Sequence, residues 1–268
     1  MLLSGNLLYF LPFYSLFLQK HGNRLQVHLE KSYFLRLPKF LPHAIDDLFM
    51  PEFFVDSVNH WFGDREILSN VYINCKSGEV VGLLGRNGCG KSTLLKIIFG
   101  SIIPKFKYLK IDEKIYQKGY LSKNLTYLPQ NNLVPGHISV STAVDLLCKR
   151  YKPQLLEMEI VRKFLQVKFR ELSGGEQRYL EVLLCMYSDS RFVLLDEPFS
   201  QLAPIVVEEI KWHINQLKTD KGFILTDHNF QSLLDVADRT VLLHNGCNYT
   251  IRNREDLILH GYLPAAKD

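Results

Sequence analysis

The chain has 268 residues, with 32 Lys and Arg against 28 Asp and Glu, a formal net charge of +4 and an apolar fraction of 47%. Such a chain is globular, with one large domain or two small ones, and disorder is excluded. The positive balance is small and the basic residues are spread from end to end, too little to argue for a nucleic-acid partner, so composition leaves the partner open. Five cysteines (Cys75, Cys89, Cys148, Cys185, Cys247) lie far apart with no CxxC spacing, the pattern of a reduced, cytosolic chain. No apolar run reaches the ~18 residues of a spanning helix. The nearest, residues 7–18, is broken by Pro12 and Ser15 and lacks the basic lead of a signal peptide.

Residues 1–49 are rich in Leu, Phe and Tyr, carry Pro12, Pro38 and Pro42, and show neither a helical nor a strand period. They are expected to be an extension outside the core, or to precede a true start at Met50. Residues 50–268 have the length of a single domain. Pro51-Glu-Phe-Phe-Val-Asp56 reads as the start of a strand. Residues 79–84 are a short apolar strand entering a Gly-rich turn, and 91–99 form a helix with one apolar side. Within 106–128, segments such as Tyr108-Leu-Lys-Ile-Asp112 read as small antiparallel strands. From 139 to about 169 the spacing of Val140, Val144, Leu147, Leu156, Ile160, Phe164 and Leu165 is helical. Another helix runs from 179 to about 187, and residues 191–195 and 223–225 are buried strands. Apolar strands alternating with helices imply an α/β domain with a mostly parallel core sheet.

Gly85-Arg-Asn-Gly-Cys-Gly-Lys-Ser92 fits Gly-x4-Gly-Lys-Ser between a strand and a helix, the context that a phosphate loop requires. Gly85, Gly88 and Gly90 permit backbone dihedrals that side chains forbid, so several N–H groups can point at one anion. The helix opening at Lys91, Ser92 and Thr93 aims its positive end at the phosphates. Lys91 neutralises β- and γ-phosphate charge, and the Ser92 hydroxyl can ligate Mg²⁺. Arg86, Asn87 and Cys89 contribute through the backbone; Cys89 reads as a small tolerated residue rather than a reactive thiol.

Arg191-Phe-Val-Leu-Leu-Asp-Glu-Pro198 is a strand ending in two acids and a breaker. Asp196, at the carboxyl end of a parallel strand, is placed to hold Mg²⁺ through water. Glu197 points elsewhere and can take a proton from water attacking the γ-phosphate, which is ATP hydrolysis. Leu172-Ser-Gly-Gly-Glu-Gln-Arg178 precedes a helix. It reads either as a helix cap, with Ser173 as N-cap and Glu176 closing a capping box, or as a second anion cradle.

The order of Gly85–Ser92, Gln130, Leu172–Arg178, Leu194–Glu197 and His228 resembles the ATP-binding subunit of an ATP-binding cassette (ABC) transporter, across about residues 52–250. The resemblance implies a P-loop NTPase core with a small antiparallel β-subdomain and an inserted helical subdomain at about 135–172 that contacts the membrane partner. It implies ATP and Mg²⁺ as cofactors and a head-to-tail pair, either a homodimer or two related subunits. Ser173, Gly174, Gly175 and Glu176 of one copy would meet the γ-phosphate held by the other. Tyr127-Leu-Pro-Gln130 is similar to the Q-loop, whose glutamine contacts Mg²⁺ and the attacking water. Leu225-Thr-Asp-His228 is similar to the switch histidine, and Phe62 falls where the family stacks an aromatic on adenine, with Trp61 the rival. The implied place is cytoplasmic, at the inner face of a membrane, docked on an integral membrane subunit.

One departure from the family matters. After Ser200 the pattern Ala-Leu-Asp is replaced by Gln201-Leu202-Ala203, so the aspartate implied to touch the opposite phosphate loop is absent. Thr226-Asp-His-Asn229 is similar to the matching stretch of lipopolysaccharide-export ATPases. The alternative is a soluble ABC ATPase acting on ribosomes or DNA, disfavoured by the single cassette and the lack of sustained heptads. A kinase or other P-loop transferase would leave the cradle at Ser173 unexplained.

Overall fold

The structure, a computed structural model, describes residues 10–11, 14–15, 17–21, 24–28, 52–228 and 230–264. The chain divides into two units, Met1–Phe49 and Met50–Asp268. In the first, β1 (Phe10–Leu11) pairs antiparallel with β2 (Tyr14–Ser15), and β3 (Phe17–His21) with β4 (Arg24–His28). β1 and β2, of two residues each, are too short to display a sequence period. The start considered at Met50 lies outside the described residues.

The second unit opens with a hairpin, β5 (Glu52–Phe62) and β6 (Arg65–Lys76), turned by Gly63 and Asp64. Gly63 has φ 58, the left-handed conformation that a two-residue hairpin loop demands. β7 (Val80–Leu84) then enters the main sheet and runs through the glycine loop into α1 (Lys91–Phe99). β8 (Phe106–Ile111) and β9 (Lys114–Ile115) return to the antiparallel sheet, whose order is β6-β5-β8-β9.

The remaining strands complete a six-stranded sheet. They are β10 (Leu125–Leu128), β11 (Phe192–Asp196), β12 (Gly222–Thr226), β13 (Arg239–His244) and β14 (Cys247–Ile251), in the order β10-β11-β12-β7-β13-β14. All neighbours are parallel except the β13–β14 pair. β7, β11 and β12 are buried at every residue, so their sequences read as continuous apolar runs rather than alternations. Val81, Leu83, Leu194 and Ile224 pack with Leu94, Leu95 and Ile98 of α1 and with the antiparallel sheet. Val80, Leu84, Val193, Leu195 and Leu225 pack on the other face against helices.

Those helices differ from the expected pattern. Instead of one helical stretch over 139–169, the chain forms α2 (Val140–Leu147), α3 (Lys152–Glu157) and α4 (Glu159–Phe164). Pro153 has no N–H to donate and its ring clashes with a preceding carbonyl, so a helix can start there but not continue through. Met158 is extended, with φ −72 and ψ 130, and separates α3 from α4. Next come α5 (Gly174–Met186) and α6 (Pro204–Leu217), followed by α7 (Phe230–Leu234) and α8 (Arg254–Leu259). Among the described residues no helix is long and apolar enough to cross a membrane.

Candidate functional site

β10, β11, β12 and β7 are consecutive in the sheet and parallel, so their carboxyl ends share one edge. Gln130, Asp196 with Glu197, His228 and the 85–92 loop follow those four ends in turn. Residues far apart in sequence thus meet at the rim where open α/β sheets bind ligands.

The loop has the backbone expected of it. Gly85, Gly88 and Gly90 have φ 152, 77 and 107, and Gly90 is the left-handed N-cap of α1. A Cβ on Gly85 would lie 2.6 Å from the Leu243 carbonyl oxygen and 2.5 Å from Cys89 Sγ, so only glycine fits. Lys91 is buried, and its Nζ donates to the carbonyls of Gly85 (2.7 Å) and Arg86 (3.3 Å), spanning the loop from inside. Arg86, Asn87 and Gly88 are exposed, and Ser92 and Thr93 are half-buried in the first turn of α1. The N–H groups of that turn have no intrahelical acceptor. Arg86 Nη2 also donates to Gly261 O at 2.5 Å, a contact the motif does not foretell. Burial pushes the Cys89 thiol up, outweighing the nearby Lys91 ammonium, which agrees with an unreactive loop residue.

The two acids diverge. Asp196 is fully buried: Oδ1 accepts from Ser92 Oγ (3.0 Å) and Thr226 Oγ1 (2.8 Å), and Oδ2 from Tyr127 OH (3.1 Å). Burial, reinforced by that carboxylate, raises the Tyr127 phenol far above its ordinary pKa, so it remains a donor. Glu197 turns the other way. Its Oε1 lies 2.6 Å from His228 Nε2, and its Oε2 accepts from Ser200 Oγ at 3.2 Å. Glu197 has φ 53, a conformation costly for a non-glycine residue, and its N–H is fixed by Thr226 O at 2.9 Å.

Both readings of the Ser-Gly-Gly stretch meet one geometry. Ser173 caps α5: its Oγ accepts from Glu176 N (3.4 Å) and donates to Glu176 Oε2 (2.7 Å), which also accepts from Ser173 N (3.0 Å). These bonds lower the Glu176 pKa. Ser173 and Gly174 are exposed, so the cap does not close the helix end to an outside anion. Gly174 lines a cavity of about 750 Å³ with Gln130, Gln177, Glu197, Ser200 and Gln201, and no residue of 85–93 contributes to it. Ala203 is the N-cap of α6 and makes no side-chain cap, so the missing aspartate leaves that position without a side-chain partner. Phe62 is 54% exposed at the end of β5, edge-on to His60 at 4.7 Å. Trp61 instead carries the Lys105 ammonium over its ring.

No motif foretells the contacts of Tyr127 and Thr226 with Asp196, of Ser200 with Glu197, of Arg178 with the Pro129, Asp196 and Glu197 carbonyls, or of Glu181 with the Leu133 and Val134 N–H groups. Tyr127 and Thr226 sit in apolar strands, where alternation would have flagged polar groups directed at a strand end. The other three depend on tertiary proximity that no sequence spacing reports.

A glycine loop leaving a central parallel strand, with acids ending its sheet neighbour but one, is a P-loop NTPase fold. The model of the ABC transporter family matches residues 68–200. The lipopolysaccharide export system ATP-binding protein LptB of Haemophilus influenzae is 31% identical over 201 residues, 69% of this chain and 83% of that one. A probable ABC transporter ATP-binding protein of Azorhizobium caulinodans is 30% identical over 202 residues, 69% and 71% of the two chains. In fold, the ATP-binding subunit of an ABC transporter superposes with TM-score 0.68 at 21% identity, covering 80% of this chain and 95% of the other. The chain belongs to the ATP-binding subunits of ABC transporters. It is an ATPase that powers transport.

Proposed function

We infer that the rim residues divide the chemistry as follows. The 85–93 loop and Lys91 bind the triphosphate, and Phe62 stacks on adenine. Ser92 is a protein oxygen for Mg²⁺, Asp196 holds the ion through water, and Gln130 contacts it. A hydroxyl 3.0 Å from a buried carboxylate fits a hard cation that takes one or two protein ligands and phosphate oxygens. When bound, that ion supplies charge neutralisation at the β- and γ-phosphates. Glu197 accepts the proton of the attacking water. His228, half exposed beside it, steers that carboxylate and hydrogen-bonds the γ-phosphate. Gln130 presents both an acceptor and a donor to the same water.

The chain works in this reading as a head-to-tail dimer on the cytoplasmic face of a membrane, where Ser173, Gly174, Gly175 and Glu176 of one copy complete the site of the other. One observation carries it. The capped Ser-Gly-Gly turn is exposed and borders a cavity with Glu197 that no residue of its own phosphate loop reaches. In this reading the exposed turn meets the phosphate held by the loop of a second copy. The relatives include ATP-binding proteins of lipopolysaccharide export and of spermidine/putrescine import. The cargo is therefore chosen by the membrane subunits.

The test is complementation. Lys91→Ala and Gly175→Asp each inactivate both sites of a homodimer. Mixed, they leave one intact site per heterodimer, so ATPase activity returns. If the mixture stays as inactive as its parts, each copy completes its own site and the dimer reading fails.

A further inference from the structure

Arg178 and Glu181 are one helical turn apart on α5, so they share a face. Both are buried, at 8% and 1% exposure. Arg178 Nη1 donates to the carbonyl of Pro129 at 2.8 Å, the residue immediately before Gln130. Its Nη2 donates to the carbonyls of Asp196 (2.7 Å) and Glu197 (3.0 Å). Glu181 Oε1 accepts the N–H groups of Leu133 (2.8 Å) and Val134 (3.0 Å). Residues 130–132 are therefore gripped at both ends by one helix, which also holds the backbone that presents Glu197.

Two buried ionised side chains on a helix are costly unless their hydrogen bonds are satisfied. Burial pulls the Arg178 pKa down and pushes that of Glu181 up. Main-chain groups at all five contacts offset that cost. A planar guanidinium with several fixed donors reaches three carbonyls on two segments, which a single ammonium cannot do. The same helix begins at Ser173, so a displacement at its N-terminus is transmitted rigidly to both grips.

We propose that Arg178 and Glu181 are positioning residues: a two-point clamp through which α5, engaged at its Ser-Gly-Gly end, sets Gln130 and Glu197 for hydrolysis in its own copy. The proposal rests on the roles inferred above for Gln130, Glu197 and the exposed turn. Contact with the partner's nucleotide then reaches the base through the backbone that α5 holds.

The experiment uses the purified full chain and reads ATP affinity, kcat and the Mg²⁺ concentration for half-maximal activity. Arg178→Lys is expected to keep ATP affinity, lose about 10–100-fold in kcat and require more Mg²⁺, as for a small misplacement of reacting groups. Glu181→Ala behaves alike, and Glu181→Gln recovers most of the loss because an amide oxygen still accepts both N–H groups. Wild-type turnover in Arg178→Lys, or a Glu181→Gln no better than Glu181→Ala, overturns the clamp. In the unmodified protein, Leu133 and Val134 amides should exchange more slowly than those of Asn131 and Asn132. Equal rates overturn the clamp even if the variants fail to fold. Glu197→Gln, run alongside, separates the two ideas: if it is inactive while Arg178→Lys is normal, only the clamp is lost.

Discussion

Replacing Glu197 by Gln removes the proposed base and almost nothing else. The carboxylate lies 2.6 Å from His228 Nε2 through one oxygen and 3.2 Å from Ser200 Oγ through the other. An amide offers an acceptor to the imidazole and a donor to the hydroxyl, so the side chain keeps both neighbours. Its backbone, at φ 53, remains fixed by Thr226 O. The phosphate loop and Lys91 are untouched, so ATP binding persists. Loss of a general base costs about 10²–10⁴-fold in rate, a barrier increase of ~3–5.5 kcal/mol. Phosphate release in a single turnover should fall by that factor, and gel filtration with ATP should show a dimer that does not dissociate. Wild-type phosphate release would place the base elsewhere. Loss of binding together with hydrolysis would make Glu197 a structural anchor instead.

Phe62→Ala should raise the ATP concentration for half-maximal activity about tenfold, since stacking on a base is worth ~1–3 kcal/mol. Because the ring is half exposed, Tm should barely move; an unchanged ATP requirement would shift the adenine contact to Trp61. Lys221 gives a pH signature. It is 2% exposed, its Nζ donates to the carbonyls of Ser188 and Ser190, and burial lowers its pKa from 10.5 to about 8. Between pH 8 and 10.5 the unfolded chain holds a proton that the folded one releases, so this group adds stability as pH rises and costs the fold up to about 3 kcal/mol below that window. Urea melts at pH 7.5 and 10 should show the wild type gaining on Lys221→Met; a constant difference would mean the amine is not desolvated.

The phosphate loop and the paired acids were legible because their chemistry is local: glycines set the backbone, and a breaker after a strand exposes adjacent carboxylates. The Ser-Gly-Gly turn was legible only as two readings, and the exposed capping box accommodates both. Apolar spacing over 139–169 reports helix but not its breaks, because the spacing survives small interruptions; Pro153 and the extended Met158 divide the stretch into three. α6 was not expected, although Val206, Val207, Ile210, Ile214 and Leu217 carry a helical period behind Pro204. Arg178 and Glu181 were out of reach, since a helix says nothing of which distant carbonyls it will meet.

The order of strands in the main sheet bears on how this protein is made. β7 ends in the phosphate loop, yet its neighbours on both sides, β12 and β13, are translated more than a hundred residues later. A nascent chain still on the ribosome therefore has the nucleotide motif but no sheet to seat it, and His228 emerges only as that seating becomes available. Synthesis itself delays any grip on cellular ATP until β12 and β13 have been made, and products terminated before them should be inert rather than futile consumers of fuel.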